Sequence, residues 1–198
     1  MKNKELQESR MRTYFLEATQ EILKSEGLKA LSVRSIADRA GYSYATLYNY
    51  FRDINELIFL CVEGFQAECR EYTRQTTPAK ASPRETLKAA CMAYATYFTE
   101  YPGIFELFFL ERMLGFGNNP ETARTIAGSF GNATQHAFDA LETDLTMTPE
   151  ALARLRQTLR DTVLTSLLLY LNRRMPPDYH EFRTSLDNTL THLLLQVQ

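Results

Sequence analysis

Residues 32–51 contain two short helical patterns that meet at a glycine, and this segment constrains the fold more than any other. The apolar residues of the first pattern recur at spacings of three and four, which places them on one helix face; they are Val33, Ile36, Ala37 and Ala40. Ser32 stands where a helix N-cap is expected, and Gly41 stands where a helix often ends in the left-handed conformation. The segment therefore predicts a helix, a tight turn and a second helix.

The second helix has a polar and aromatic outer face. Ser43 can cap it, and Leu47 forms its inner side, with Tyr50 or Phe51 closing it. The outer side chains can donate hydrogen bonds to phosphates or reach base edges in the major groove of DNA; they are Ser43, Tyr44, Thr46, Tyr48, Asn49 and Tyr50. Tyrosines on a small helix are also common as half-buried packing residues. Taken alone, the helix leaves both interpretations open.

The order and spacing of residues 32–51 resemble the DNA-binding signature of TetR-type transcriptional regulators. That signature has a Thr or Ser, a small apolar residue, a helix ending in Ala-Gly, a Ser, and then Leu-Tyr-x-Tyr/His-Phe, and all of these occur here. One departure is Ile54, because the family usually carries a Lys three residues after the Phe. Together with the outer face, the resemblance predicts these DNA-contacting residues: Arg34, Ser43, Tyr44, Ala45, Thr46, Tyr48, Asn49, Tyr50 and Arg52.

Charge is distributed unevenly along the 198 residues, although the net charge is only −2. Residues 1–52 hold nine Lys and Arg against six Asp and Glu, which gives +3, and residues 53–198 hold thirteen against eighteen, which gives −5. A mildly basic segment on an acidic remainder suits a protein that touches DNA with one end. We therefore expect residues 1–52 to form a helix-turn-helix DNA-binding domain and residues 53–198 to form an effector-binding and dimerisation domain.

The remainder of the chain has helical rather than strand periodicity. A first helix is expected over about residues 10–26, after a loose segment at residues 1–9, and Asp53 with Glu56 forms a capping box for a fourth helix. No strand alternation or internal repeat occurs in the sequence. The predicted fold is all-α, with an N-terminal three-helix head, a C-terminal helical body that binds a ligand and dimerises, and about nine helices in total.

Aromatic residues are concentrated in the middle of the body. They could line an apolar cavity for a small-molecule effector, as the resemblance implies; they are Tyr94, Tyr97, Phe98, Phe105, Phe108, Phe109, Met113, Phe116 and Phe130. The few polar groups in this region indicate an uncharged or aromatic ligand. Ordinary core packing is the alternative for each of these residues.

The last two helices carry more apolar surface than one partner face can cover. Doubly striped C-terminal helices suit a four-helix seam between two identical subunits, and the residues predicted for that seam are Leu159, Val163, Leu167, Tyr170, Leu186, Leu190 and Leu193. The alternative is that both stripes belong to the core of a single subunit.

Catalytic and metal-binding motifs are missing from the sequence. It contains no phosphate-binding loop and no His-Glu-x-x-His, and His136, His180 and His192 have no ligand spacing. We therefore predict no enzyme activity, no metal and no cofactor.

Three cysteines, an odd number, argue against a disulfide framework and for a reducing compartment. Cys61, Cys69 and Cys91 are expected to be small buried hydrophobes, with a thiol redox switch as the alternative. The N-terminus lacks a secretory signal, and the most apolar stretch, residues 163–171, is too short to span a bilayer. We expect a cytoplasmic protein.

These features together predict a homodimeric, sequence-specific DNA-binding regulator. In the family that the chain resembles, most members are repressors, so we expect a repressor released from a palindromic operator by a small apolar or aromatic effector. The alternative is a helical protein-interaction or ligand-carrier module that does not read DNA sequence, and the absence of a positive charge at Ile54 favours it.

Overall fold

The computed structural model describes residues 2–78, 81–110, 120–144 and 147–196. Within these ranges all regular secondary structure is helical, which confirms the all-α prediction. The helices are α1 Lys2–Ser25, α2 Val33–Ala40, α3 Tyr44–Leu47, α4 Ile54–Thr76, α5 Pro83–Glu100, α6 Pro102–Phe105, α7 Pro120–Ala127, α8 Ser129–Asp144, α9 Pro149–Leu171 and α10 Tyr179–Leu195. A 3-10 turn, Leu28–Ala30, precedes α2, and a π-helical segment, Glu106–Leu110, follows α6.

Helix α1 begins at Lys2, well before the start expected near residue 10, so the expectation of a loose segment at residues 2–9 was wrong. The early residues include Lys, Glu, Leu and Gln, which are good helix formers. Once the packed part of α1 has formed, each further turn adds hydrogen bonds without a new nucleation step. Extension of the helix is therefore favourable even where the side chains remain exposed.

The chain forms two compact units. The first unit comprises Met1–Phe65 and Tyr101–Ala127, and the second comprises Gln66–Glu100 and Gly128–Gln198. Helix α4 passes from one unit into the other between Phe65 and Gln66. The boundary predicted after residue 52 divides the chain by function rather than by packing, and it stays a prediction.

The first unit has its core where α1 meets α2, α3 and the start of α4. Its buried residues are Met11, Phe15, Ala18, Ile22, Ile36, Leu47, Phe51 and Leu57. Phe15 lies among three aromatic rings, with centroid distances of 5.7 Å to Tyr42, 6.2 Å to Tyr50 and 6.3 Å to Phe51. The three-helix head predicted from the sequence is thus built around one phenylalanine of α1.

Helix α6 belongs to the same unit and packs against the C-terminal end of α1. The approach is so close that a Cβ at Gly103 would lie 2.4 Å from the carbonyl oxygen of Leu23. Nearby, the Lys24 ammonium lies 4.7 Å from the centre of the Tyr101 ring. The absence of a side chain at Gly103 is what allows this contact.

In the second unit, α5 packs against α8, α9 and α10. The buried side chains of α9 and α10 recur at intervals of four, as a single covered helix face requires; they are Leu155, Leu159, Val163, Leu167, Phe182, Leu186, Leu190 and Leu194. Lys88 of α5 forms an ion pair with Asp187 of α10, with 3.0 Å between nitrogen and oxygen.

The three cysteines are buried and unpaired, in accordance with the simpler expectation for them. Burial raises the pKa of Cys61, Cys69 and Cys91 to about 12 in each case. A thiol with such a pKa is almost wholly protonated at neutral pH, and the protonated form is a poor nucleophile. The packing therefore favours structural roles for these residues.

Candidate nucleic-acid interface

Helix α2 has the caps that the sequence predicted. The Ser32 hydroxyl accepts a hydrogen bond from the Ser35 amide at 3.0 Å, and the Ser35 hydroxyl accepts one from the Ser32 amide at 2.9 Å. These reciprocal bonds form a capping box. At the other end Gly41 has a φ of +77°, a left-handed conformation in which a side chain would be strained. Local sequence thereby fixes both ends of α2.

Helix α3 is shorter than predicted and includes only Tyr44–Leu47. The Ser43 hydroxyl caps it by accepting from the Thr46 amide at 3.2 Å. The chain then continues in turns, with the Tyr50 and Phe51 amides both donating to the Leu47 carbonyl at 3.0 Å. Tyr and Asn are weak helix formers, which agrees with the early end of the regular helix.

Most of the predicted DNA-contacting residues lie on an exposed surface. Tyr44 is 65% exposed and Tyr48 is 53% exposed, which is unusual for side chains of this size. Ser43, Ala45 and Asn49 are also exposed, and Thr46 is half-buried. We call these six residues the recognition surface.

Two predicted arginines flank the recognition surface. The side chains of Arg34 and Arg52 are 91% and 82% exposed. Each lies near one carboxylate of its own neighbourhood, with Arg34 Nε 3.9 Å from Asp38 and Arg52 Nε 3.2 Å from Asp53. Exposed pairs of this kind are weak and exchange readily for phosphate contacts.

Two residues near this surface turn inward. Tyr50, predicted as a DNA contact, is half-buried with its ring 6.2 Å from that of Phe15. Ile54, which stands in the place of the expected Lys, is partly buried and packs against the head core. Packing thus accounts for the apolar residue at Ile54, and it gives Tyr50 a role in the core.

Sequence reasoning did not identify Tyr42 and Tyr14, which extend the aromatic surface. Tyr42 is 38% exposed and Tyr14 is 46% exposed, and their rings stack with centroids 6.2 Å apart. The two residues are far apart in the sequence, so no local pattern could have paired them. The one sequence signal for Tyr42 was its place in the turn between α2 and α3, directly after Gly41.

The turn between α3 and α4 is held by carboxylates at the start of α4. The Asp53 carboxylate accepts from the Glu56 amide at 3.0 Å, which confirms the predicted cap of α4. Glu56 reaches one residue further back than expected and accepts from the Arg52 amide at 2.9 Å. This hydrogen bond, assisted by the nearby Arg12, lowers the pKa of Glu56, so that its carboxylate remains charged at neutral pH.

The residues predicted for an effector site are divided between the units. In the second unit, the ring centroid of Tyr94 lies 4.9 Å from that of Phe98 and 5.2 Å from that of Phe130. The ring centroids of Tyr97 and Phe98 are 5.4 Å apart. In the first unit, Phe109 lies 5.1 Å from Phe105 and 5.9 Å from Phe108. Met113 and Phe116 lie outside the described residues.

One polar pair lies within the aromatic cluster of the second unit. The Tyr94 hydroxyl is 2.9 Å from the Ser129 hydroxyl, and both residues are buried. Burial raises the pKa of Tyr94, so the phenol stays protonated and can donate a hydrogen bond.

Most residues predicted for a subunit seam lie in the interior of the single chain. Leu159, Val163, Leu167, Leu186 and Leu190 are at most 2% exposed. A side chain that is already covered offers no surface to a partner, so these five favour the alternative in which the stripe belongs to the core. Tyr170 and Leu193 are half-buried.

Two further features of the described residues bear on function. No three His, Cys, Asp or Glu side chains in these ranges are grouped so as to hold a metal ion. In the described part of the chain, no helix is both long enough and apolar enough to cross a membrane.

Comparison with known proteins agrees with this architecture. Residues 15–61 match the family of bacterial regulatory proteins called the tetR family. The fold resembles that of the transcriptional regulator FadR from Bacillus subtilis in complex with stearoyl-CoA, with a TM-score of 0.70 and 16% identity over 93% of this chain and 97% of that one.

Two more solved structures are similar. Thermus thermophilus FadR, a TetR-family repressor in complex with lauroyl-CoA, has a TM-score of 0.66 and 21% identity over 93% of each chain. A TetR-family transcriptional regulator from Streptomyces coelicolor has a TM-score of 0.67 and 18% identity over 94% of this chain and 79% of that one. At these identities the likeness establishes a shared fold.

A capped helix-turn-helix with an exposed polar and aromatic face, in described residues whose regular structure is all helical, is typical of DNA-binding regulators. The match over residues 15–61 includes the whole of this segment and identifies its type. Residues 15–61 are therefore similar to the tetR family of bacterial regulatory proteins, and the fold of the chain is similar to that of the regulators compared above.

Proposed function

We propose that this protein is a repressor that binds a pseudo-palindromic operator as a homodimer and leaves it when a small apolar or aromatic molecule binds. The observation that carries the DNA-binding part is the exposure of Tyr44 and Tyr48 on a segment capped at both helices. Exposed aromatic side chains that are grouped on one surface mark an interaction site. The protein acts by binding rather than by catalysis, and its DNA partner implies a cytoplasmic location.

The recognition surface divides by position into two roles. Tyr44 and Ala45 lie at the N-terminal end of α3, which is the end that a recognition helix turns toward base edges in the major groove. Ser43, Thr46 and Tyr48 carry hydroxyls that suit phosphate oxygens, and the exposed Arg34 and Arg52 supply charge. The first group should determine sequence preference, and the second should determine general affinity.

Selection from random DNA fragments tests this proposal. We expect the full chain to enrich a single motif with two inverted half-sites, because a two-fold dimer presents two identical heads. Enrichment of a lone half-site would contradict the dimer, and no enrichment would favour the alternative of a protein-interaction or carrier module. Light scattering of the free protein gives an independent measure of the dimer.

The proposed roles predict different effects for two tyrosines. Tyr48→Phe removes one hydroxyl and should weaken all DNA sequences equally, by roughly 1 kcal/mol per lost hydrogen bond. Tyr44→Ala should instead change the base preferred at one position of each half-site, with a cost of about 1–3 kcal/mol for the original base. Titration of the selected operator with each variant measures the loss of affinity, and repeating the fragment selection measures the change in base preference.

Tyr179→Phe is the matched control, since Tyr179 is an exposed tyrosine of α10, outside the DNA-binding segment. It should leave both affinity and base preference unchanged. A shift in preferred bases with Tyr48→Phe would show that the two roles have been assigned to the wrong residues.

A dimer surface remains available on α9 beside the buried stripe. Leu168 and Leu169 are 41% and 42% exposed, and Leu164 and Leu171 are half-buried. On α10, Leu195 is 71% exposed. We propose that these exposed and half-buried leucines form the dimer interface, with Tyr170 and Leu193 at its edge. The buried residues of α9 and α10 would then belong to the core of each subunit.

The ligand part of the proposal starts from the aromatic clusters. Their residues are Tyr94, Tyr97, Phe98 and Phe130 in the second unit and Phe105, Phe108 and Phe109 in the first. Two structurally similar regulators were solved with acyl-CoA, which supports testing acyl chains first. Helix α4 is the candidate link to the DNA-binding segment, because it is continuous between Ile54 and Thr76.

Lauroyl-CoA and stearoyl-CoA are therefore the first ligands to test, with free coenzyme A as the control. A ligand that releases operator must bind the DNA-free conformation more tightly, and operator must weaken the ligand by the same factor. Calorimetry with and without the selected operator measures that factor. Equal ligand affinities in both titrations would rule out this form of regulation.

A further inference from the structure

Arg12 of α1 contacts Tyr50 and Phe51 in the turn that follows the recognition surface, and Glu56 in the first turn of α4. One guanidinium nitrogen donates to the carbonyl oxygen of Tyr50, and another donates to a Glu56 carboxylate oxygen at 3.0 Å. The guanidinium carbon lies 4.2 Å from the centre of the Phe51 ring. Because 38 residues separate Arg12 from Tyr50, only the tertiary fold brings these groups together.

The carboxylate of Glu56 extends this network to the next residue. Its second oxygen accepts a hydrogen bond from the backbone amide of Arg52 at 2.9 Å. Arg12 therefore fixes the backbone at Tyr50 and the ring of Phe51 directly. Through Glu56 it also fixes the backbone at Arg52. The side chains on either side of this fixed turn, Tyr48 and Arg52, point into solvent.

We propose that Arg12 is a positioning residue for DNA recognition, which sets the place of Tyr48 and Arg52 without touching DNA itself. This inference rests on the proposed use of the recognition surface and Arg52 to bind DNA. A planar guanidinium can bond a carbonyl and a carboxylate while stacking on a ring. A lysine ammonium keeps the charge, but it cannot make all three contacts in this geometry.

The chain supplies a matched control in Arg39 of α2. Its guanidinium bridges two carboxylates of the same unit, at 2.8 Å from Glu21 and 2.5 Å from Glu26. This network involves neither the turn after α3 nor the recognition surface. Arg12→Lys and Arg39→Lys are thus the same substitution in two ion-pair networks of one compact unit.

The experiment measures operator affinity against salt concentration for the full chain and both variants. We expect Arg12→Lys to weaken operator binding by about tenfold or more and Arg39→Lys to change it by less than about twofold. If Arg12 places Arg52, then Arg12→Lys should flatten the slope of log affinity against log salt by about 0.9 per subunit. Arg52→Ala should flatten it by a similar amount.

A double-mutant cycle separates positioning from a general loss of stability. Arg52→Ala should weaken wild-type binding, but it should have little further effect in Arg12→Lys, because residues that act as a unit are not additive. Glu56→Gln breaks the same network from its other side and should reproduce the flattened slope. It also keeps the inference testable if Arg12→Lys does not fold.

The outcomes distinguish this inference from the proposed function. Additive effects of Arg12→Lys and Arg52→Ala, or equal losses in Arg12→Lys and Arg39→Lys, would overturn the positioning role while leaving DNA binding intact. A wild-type chain that binds no selected DNA would overturn the proposed function, and the inference with it.

Discussion

Replacing Phe15 with alanine should destabilise the first compact unit by about 3–5 kcal/mol, which is the usual cost of removing a buried phenylalanine. Phe15 is 0% exposed, and its ring contacts the rings of Tyr42, Tyr50 and Phe51. These partners come from the segment that carries α3, so the cavity would lie directly beneath the recognition surface. A loss of this size is a large part of the stability of an ordinary domain.

Hydrogen exchange measures this effect better than a single unfolding midpoint, because the chain has two compact units. Amides of α2 and α4 should lose protection in Phe15→Ala, and operator binding should weaken in parallel. Tyr14→Ala is the matched control, since Tyr14 is the preceding residue and is 46% exposed. If the α2 amides of Phe15→Ala exchange as slowly as those of the wild type, Phe15 does not organise this core.

Gly103→Ala should be the second strongly destabilising change, although it adds only a methyl group. The new Cβ would lie 2.4 Å from the Leu23 carbonyl oxygen and 3.4 Å from that of Lys24. Both are backbone atoms, which cannot move aside as a flexible side chain can. We expect a loss of about 1–3 kcal/mol, the usual cost of overpacking, as α6 is pushed away from α1.

Gly131→Ala is the matched control for Gly103→Ala. Gly131 also lies in a helix, but a Cβ there would make only an ordinary contact of 3.5 Å with the Arg156 side chain. Alanine is the better helix former, so this variant should be more stable than wild type by about 0.5–1 kcal/mol. Thermal unfolding followed by circular dichroism measures both changes, and a stabilised Gly103→Ala protein would contradict the close contact between α6 and α1.

Much of the DNA-binding segment could be predicted from the sequence, because its geometry is encoded locally. The Ser32 cap bonds Ser35, the Ser43 cap bonds Thr46, and Asp53 bonds Glu56, all within three residues. Such contacts depend on residue order and on the fixed geometry of a helix start. The positions of these caps were correct, whereas the length of α3 was overestimated.

The outer limits of α1 and α3, the start of one and the end of the other, were harder to predict, because no local side-chain cap marks them. The start of α1 at Lys2 and the end of α3 at Leu47 depend on small differences in propensity, which packing easily overrides. No cap residue marks either boundary as clearly as Ser32 marks the start of α2.

The sequence by itself determined the all-α fold and the capped helix-turn-helix, because helical periodicity and capping are properties of neighbouring residues. Only the tertiary structure decided which apolar stripe of α9 is covered, since Leu159 and Leu168 differ in burial through the helices packed around them. It alone also brought Arg12 to Tyr50 and Tyr94 to Ser129. Contacts between residues so distant in the chain are set by how helices pack, and packing is a property of the whole fold.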